Sequence, residues 1–521
     1  MAIDRKFFIH SRGGALGAAG VSTLTDVDDI VAELKNAEHL ILHFHGGLVS
    51  SAAGFKVAET LLPVYLAGGH PVFYVWESGA WEAIRNNIME LADEPVFKQL
   101  LRKLLQYTLQ KLGVTIGARS ISPAQVDPEE VRKTLERFID DPGPDTIPYK
   151  NFVPAVPEAQ ARSAADTIDE AEIQADLEGD DEFKRALATL PDIPAGKRSA
   201  LLAGNVPAVE RRSPFSEAAS EKLSAKPGQR GLIEFFKVAM VLKDILVGIL
   251  RRYRAGRDHG LYATVVEEII RSFKVGGSGI NEWGKALQWN RMKQDCIDAF
   301  LPDDNRAGTA MLKRIGSELD GGKTLKRITL VGHSTGAIYI CEWLKAADAV
   351  LPKDVKFDIV YLAPAVTYAR FGATLKQFPD RIRSFRMFAM HDQLEREDQV
   401  WGDDLAAKPD WRRFIYPSSL LYLVSGILES KEAADGKLTD EPDMPIVGMQ
   451  RYFSGAGTYG DKDFPEVVQV REWLTHHANA LVWSVADGAG NGLNSGCNDH
   501  GGFDNEQHTL DSLRYIVTSG F

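Results

Sequence analysis

At 521 residues the chain exceeds the usual length of one domain, so a core interrupted by insertions is expected. A hydrophobic share of 44% is ordinary for a globular protein, and a formal charge of −12 argues against a nucleic-acid partner and against tight docking on anionic membranes. Cys296, Cys341 and Cys497 are too few and too scattered for a disulfide framework or a zinc site; with no apolar leader in MAIDRKFFIHSRGG and no apolar run able to span a bilayer, no transmembrane segment and a cytoplasmic location are expected.

Residues 5–10 and 39–44 read as strands, the second ending at His45-Gly46-Gly47. Ala53 to Leu66 has a helical pattern, and Pro71 to Trp76 reads as a further strand followed by Glu77-Ser78-Gly79. This alternation predicts an α/β fold with a doubly wound, mostly parallel sheet, whose ligands bind beyond the carboxyl ends of the strands. Ser78 reads first as the cap of the next helix, Glu77 as a residue beside the pocket. His43 and His45 alternate on one strand, but a metal needs three or four converging ligands and no third stands nearby, so no metal is expected there.

From about Ala80 to Asp320 the chain departs from a compact fold: about 240 residues stand where a single helix would do. The ends look helical, and residues 118–230 are rich in Pro, Ala, Asp and Glu. The whole is read as a large, mainly helical cap insertion. Within it Leu232 to Leu250 is strongly apolar. Its first reading is a buried helix, with a lid lining an acyl pocket and an interfacial helix as alternatives. Arg251, Arg252, Arg254 and Arg257 follow and read as a solvated helix end, the alternative being a contact for anionic lipid or carboxylate.

Residues 327–343, RITLVGHSTGAIYICEW, are the most informative stretch. An apolar run enters Gly-His-Ser-Thr-Gly and a helical pattern leaves it, which predicts a strand, a sharp turn with Ser334 at its apex, and a helix. A side chain at Gly332 or Gly336 would collide with the neighbouring strand or helix. Bare G-x-S-x-G is a weak pattern; its context is what makes it informative.

Together with HLILHFHGGL at 39–48, this segment resembles the α/β-hydrolase superfamily, on its lipase and esterase side. The resemblance covers about the first 90 residues and those from about 320 onward. It implies that Ser334 is a nucleophile and that backbone N–H groups of Thr335 and of the Gly46, Gly47 and Leu48 loop form an oxyanion hole. His45, His333 and Glu77 are then expected to face the substrate.

That family orders its triad serine, acid, histidine. The strand-like run Ala480 to Val485 precedes a glycine- and asparagine-rich loop containing His500, and a helix with Leu510, Leu513, Ile516 and Val517 on its apolar face follows. Asp504 with Gln507 reads as that helix's capping box. His500 is the expected base; His508, inside the helix, is the lesser choice. Residues 382–390 read as a strand, and the family's acid follows that strand, which points to Asp392, with Glu395, Asp398 and Asp499 as rivals.

The expected organisation is therefore a hydrolase core over 1–79 and 321–521, a cap over 80–320, and a smaller insertion at about 402–478 that carries an apolar segment, Ser418 to Leu428, and a strand-like run, Met444 to Phe453. The expected activity is hydrolysis of a small-molecule carboxylic ester without a cofactor. Acyl transfer by the same residues, or binding without catalysis, are the alternatives.

Overall fold

Near-continuous apolar runs build the central strands, because a parallel sheet is covered on both faces. In the computed structural model these strands are β1 (Phe8–Arg12), β2 (His39–Phe44), β3 (His70–Glu77), β4 (Arg327–His333), β5 (Phe357–Leu362), β6 (Ile382–Met390) and β7 (Leu481–Ser484). The structure describes residues 3–47, 49–77, 95–112, 114–116, 152–154, 169–181, 232–274, 289–398, 400, 416, 418–429, 443–454, 464–488 and 490–521. The seven strands form one sheet in the order β1-β3-β2-β4-β5-β6-β7, and every neighbouring pair is parallel. The α/β class and the parallel sheet thus agree with the sequence reading.

Alternate residues of β2 serve opposite faces. Ile41 belongs to a core shared with Val331 and Val360, covered by Leu61 and Val64 of the helix Ser51–Tyr65 and by Leu513 and Ile516 of the helix Gln507–Ser519. On the other face Phe44 stacks on Tyr339, 4.7 Å between ring centroids, and lies beside Trp343, both on the helix Gly336–Val350. From β2 the chain moves outward to β3; from β4 it moves outward the opposite way to β5. The carboxyl ends of β2 and β4 therefore flank the switch point of the sheet, the place where this architecture leaves a crevice.

The chain divides into two compact units: Met1–Ala83, Gln288–Asp398 and Met444–Phe521 form the first, Ile84–Leu287 and Gln399–Asp443 the second. The first unit resumes at Gln288 rather than near residue 321. The helix Ala307–Asp320, expected in the cap, packs between the helices Leu24–Glu33 and Gly336–Val350. Amphipathic spacing shows that a segment is a helix, but not which layer it joins. The insertion expected at 402–478 is shorter for the same reason, since Met444 onward belongs to the first unit. Met444 to Phe453 is no strand: it makes one bridge, Thr367 to Ile446, and then enters the helix Gln450–Ser454. Its backbone bonds go to Val366 and Tyr368 instead of to the sheet.

The second unit contains the helices Pro95–Leu112, Glu170–Gly179, Leu232–Arg254 and Leu261–Lys274, a small antiparallel pair, Val114–Ile116 with Phe152–Pro154, and a short helix Leu420–Leu423 that widens into a π-turn over Val424–Leu428. Leu232–Arg254 buries Leu242, Ile245, Leu246 and Ile249 and exposes Met240 and Asp244, the pattern of an amphipathic core helix. Among the described residues no helix is long and apolar enough to cross a membrane.

One element of the arginine cluster departs from the solvated reading. Arg251 and Arg254 are exposed, but Arg252 is buried. Its guanidinium donates to Glu267 at 2.6 Å, Glu268 at 3.0 Å and Asp443 at 2.6 Å, joining two helices to the end of the second insertion. Removing one partner of such a cluster strands the others' charges in a low-dielectric interior. Arg252→Met is expected to lower unfolding free energy by about 3–5 kcal/mol, read by denaturant titration, whereas exposed Arg254→Met should change it by less than about 0.5 kcal/mol.

Candidate active site

Ser334 occupies a backbone conformation that side chains rarely adopt, with φ of 53°. Its neighbours hold it there: the Ser334 N–H donates to the carbonyl of Leu362, and the Ser334 carbonyl accepts from Ala337 and Ala365. The turn is possible because glycines flank it. A Cβ on Gly336 would lie 2.1 Å from the Phe44 carbonyl oxygen, and one on Gly332 would lie 2.8 Å from the Gly336 carbonyl carbon. Both collisions expected from the sequence are present, and the energy of the strained residue is borne by the packing around it.

His500 lies across the turn. Its Nε2 is 3.0 Å from Ser334 Oγ, and both side chains are buried. With the hydroxyl as donor, Nε2 is the bare nitrogen and the ring proton sits on Nδ1. Nδ1 has no hydrogen-bond partner among the described residues. Burial, followed by the nearby His333 charge, pushes the imidazole down to about 3. A neutral, buried imidazole in contact with a hydroxyl is the arrangement a general base requires.

Asp392 is not joined to this imidazole. It begins the short helix Asp392–Glu397 after β6, but its carboxylate faces Arg451, with Oδ1 2.7 Å from Nε and Oδ2 3.2 Å from Nη2. That corrects the choice of acid: Arg451 is 59 residues further along the chain, and no local sequence signal links it to the carboxylate. Of the rivals, Asp398 touches the histidine residue itself, its Oδ2 accepting the His500 backbone N–H at 3.0 Å.

His333, expected to face substrate, is instead used at both ring nitrogens. Nδ1 lies 3.0 Å from Asp504 Oδ2 and Nε2 lies 3.0 Å from the His500 carbonyl oxygen. Asp504 therefore does not cap the last helix. That helix begins at Gln507, and the Glu506 carboxylate accepts from the His508 and Thr509 N–H groups. His508 is exposed on this helix. The misreading has a clear source, because Asp and Glu two residues apart offer equivalent capping signals.

His45 is likewise structural. Its Nε2 accepts the Trp76 backbone N–H at 3.1 Å, and Nδ1 lies 2.6 Å from the Gly46 carbonyl oxygen and 3.2 Å from the Trp76 indole nitrogen. The ring ties the end of β2 to the end of β3 and shapes the His-Gly-Gly turn. Glu77 closes β3, and its side chain, like Leu48 and Ser78, lies outside the described residues. His43 donates to or accepts from Tyr65 Oη at 3.0 Å, inside the core.

Of the two glycines, Gly46 lies against Ser334 and Gly47 against Met292 and Thr335. A Cβ on Gly46 would come 3.3 Å from Ser334 Cβ. The Gly47 N–H donates to Thr335 Oγ1, so in this state it is not aimed at a ligand, which corrects the simple oxyanion-hole expectation. The Thr335 N–H, at the start of the helix Gly336–Val350, has no acceptor among the described residues. Its position at the positive end of that helix suits a developing negative charge.

Among the described residues one group of possible metal ligands converges, His259, Glu267 and Asp443 of the second unit, with ligand atoms within 4.8 Å of one another. Arg252 already fills the cationic role there. Glu267 gives Oε2 to Arg252 and Oε1 to His259 and Tyr416. Burial would push the Glu267 carboxyl up, but His259 and Arg252 pull it down to about 2. The group reads as a buried, ion-paired polar core. All three cysteines are buried and free.

No protein-family model, no curated protein and no solved structure matches this chain.

Four imidazoles of the first unit are held uncharged by burial: His39 and His45 at about 4, His43 and His500 at about 3. Because the unfolded chain takes up protons first, near pH 6.5, stability is full above that value and falls as pH drops toward 4. Each group costs about 2 kcal/mol at pH 5, with His333, shifted the other way, offsetting part. The sum rivals the whole net stability of a domain. Circular dichroism between pH 7 and 4 is expected to show cooperative unfolding of the first unit well above the carboxylate range.

Proposed function

We propose that this protein is a serine hydrolase of the α/β-hydrolase type that cleaves carboxylic esters, with Ser334 as nucleophile and His500 as general base. The observation that carries the reading is the 3.0 Å contact between His500 Nε2 and the hydroxyl of a serine held at positive φ. A strained, buried serine in contact with an uncharged imidazole at the switch point of a parallel sheet is costly to maintain and has no evident structural use.

In this reading Ser334 Oγ attacks the ester carbonyl carbon and its proton passes to His500 Nε2. The carbonyl electrons move onto oxygen, and the Thr335 N–H meets the new oxyanion together with a donor from the Gly46–Gly47 turn, released when the Gly47–Thr335 bond opens. The tetrahedral centre collapses, the C–O bond to the leaving alcohol breaks, and His500 returns the proton to that alcohol. Water, deprotonated by the same imidazole, then cleaves the acyl-enzyme. No step calls on a cofactor.

Asp398 takes the place first given to Asp392. Four covalent bonds separate a histidine's backbone nitrogen from its Nδ1, so a carboxylate bonded to the first needs only a local rotation to reach the second. Turning that carboxylate onto the Nδ1–H would stabilise the imidazolium formed during attack.

Ser334→Ala is expected to fold normally, to lose labelling by a fluorophosphonate probe and to lose nearly all turnover of p-nitrophenyl esters. A folded wild-type protein that neither labels nor turns over would reject the hydrolase reading in favour of a binding protein, and a product ester or amide formed with added acceptors would point to acyl transfer. Asp398→Asn should lower kcat by about 10²–10⁴, while Asp392→Asn acts mainly on stability through Arg451. The reverse ranking would return the acid role to Asp392.

A further inference from the structure

The serine's own neighbour has a hydrogen-bond environment that fixes its charge. His333 Nδ1 faces a carboxylate and Nε2 faces a carbonyl oxygen, each at 3.0 Å. Both partners only accept. A neutral imidazole has one N–H and would leave a lone pair pressed against one of these oxygens. If the proton between Nδ1 and Asp504 were placed on the carboxyl, it would sit on the weaker of two bases.

We propose that His333 is a resident imidazolium, paired with Asp504, and that it is a positioning residue which fastens the His500 loop to the nucleophile strand. The tether is complete on both sides of His500: its N–H is held by Asp398 and its carbonyl by His333. Ser334 and His333 are consecutive at the end of β4, so the two ends of the loop contact, carbonyl and imidazole, are registered on one strand terminus.

The titratable groups that face His333 are Asp504 and Asp499 from the loop carrying His500, His500 itself, and His43 and His45 from β2 and its end. Burial alone would push the His333 imidazole down; Asp504, the His500 carbonyl and Asp499 reverse it and raise it above the ordinary histidine value. The cation in turn disfavours a proton on His500, whose ring centroid is 5.6 Å away. The pair thereby keeps the base unprotonated between turnovers, and Asp504 confines the positive charge so that it does not extend across the site.

This inference deepens the hydrolase reading, and its test does not depend on turnover. On the ¹⁵N-labelled full chain at pH 7, long-range ¹H–¹⁵N spectra should show both His333 ring nitrogens protonated, assigned by their loss in His333→Gln. In Asp504→Asn the same signals should move to a neutral-imidazole pattern. A neutral His333 in the wild type overturns the proposal, as does a doubly protonated pattern that persists unchanged in Asp504→Asn. If the glutamine variant fails to fold, the change of these signals in Asp504→Asn assigns them instead. In the ester assay, His333→Gln should lower kcat about 10–100-fold with KM nearly unchanged. Absence of any ester turnover alongside the imidazolium spectrum would remove the hydrolase reading and leave the ion pair standing.

Discussion

Where the helix Gly336–Val350 begins, its first residue lies against the carbonyl of Phe44, so close that a Cβ would sit 2.1 Å from that oxygen. This approach sets the geometry around it. It draws the helix N-terminus against the end of β2, bends the chain after β4 sharply enough to put Ser334 at positive φ, and sets the Gly46–Gly47 turn against the serine side chain. The same helix buries Tyr339 and Trp343 on Phe44, so the apolar packing that stabilises the sheet also holds the strained turn.

In the first unit, buried imidazoles are handled in two different ways. His39, His43, His45 and His500 are kept uncharged, each with a hydrogen bond that a neutral ring can make. His333 is different: two acceptors demand two protons, and the Asp504 carboxylate makes the resulting charge tolerable. In the second unit, Arg252 and its three carboxylates follow the same logic of paired burial. A buried imidazole is thus neutral or cationic according to what its neighbours can accept, and the site contains one of each, side by side.

The strands and the elbow were legible in the sequence because their signals are local. Residues 39–44 and 382–390 match β2 and β6, and the Gly-His-Ser-Thr-Gly turn lies where its flanking patterns put it. β5 was not marked, since Asp358 interrupts its apolar run; the strand tolerates that carboxylate because Arg327 and Arg383 reach it from neighbouring strands. Asp392 was expected in the site and pairs with Arg451, while Asp504 was expected at a helix end and pairs with His333. In each case the partner lies far along the chain, where no local pattern points to it.

The sequence by itself determined the alternation of strand and helix, the position of the turn that carries Ser334, and the loop that carries His500, because periodicity and glycine spacing act over a few residues. Only the tertiary structure decided which carboxylate pairs with which side chain, which histidines bear charge, and that two separate insertions share one buried ion cluster. Those outcomes depend on contacts between residues 25 to 191 positions apart, where desolvation and hydrogen-bond geometry, rather than any local preference, set the energy.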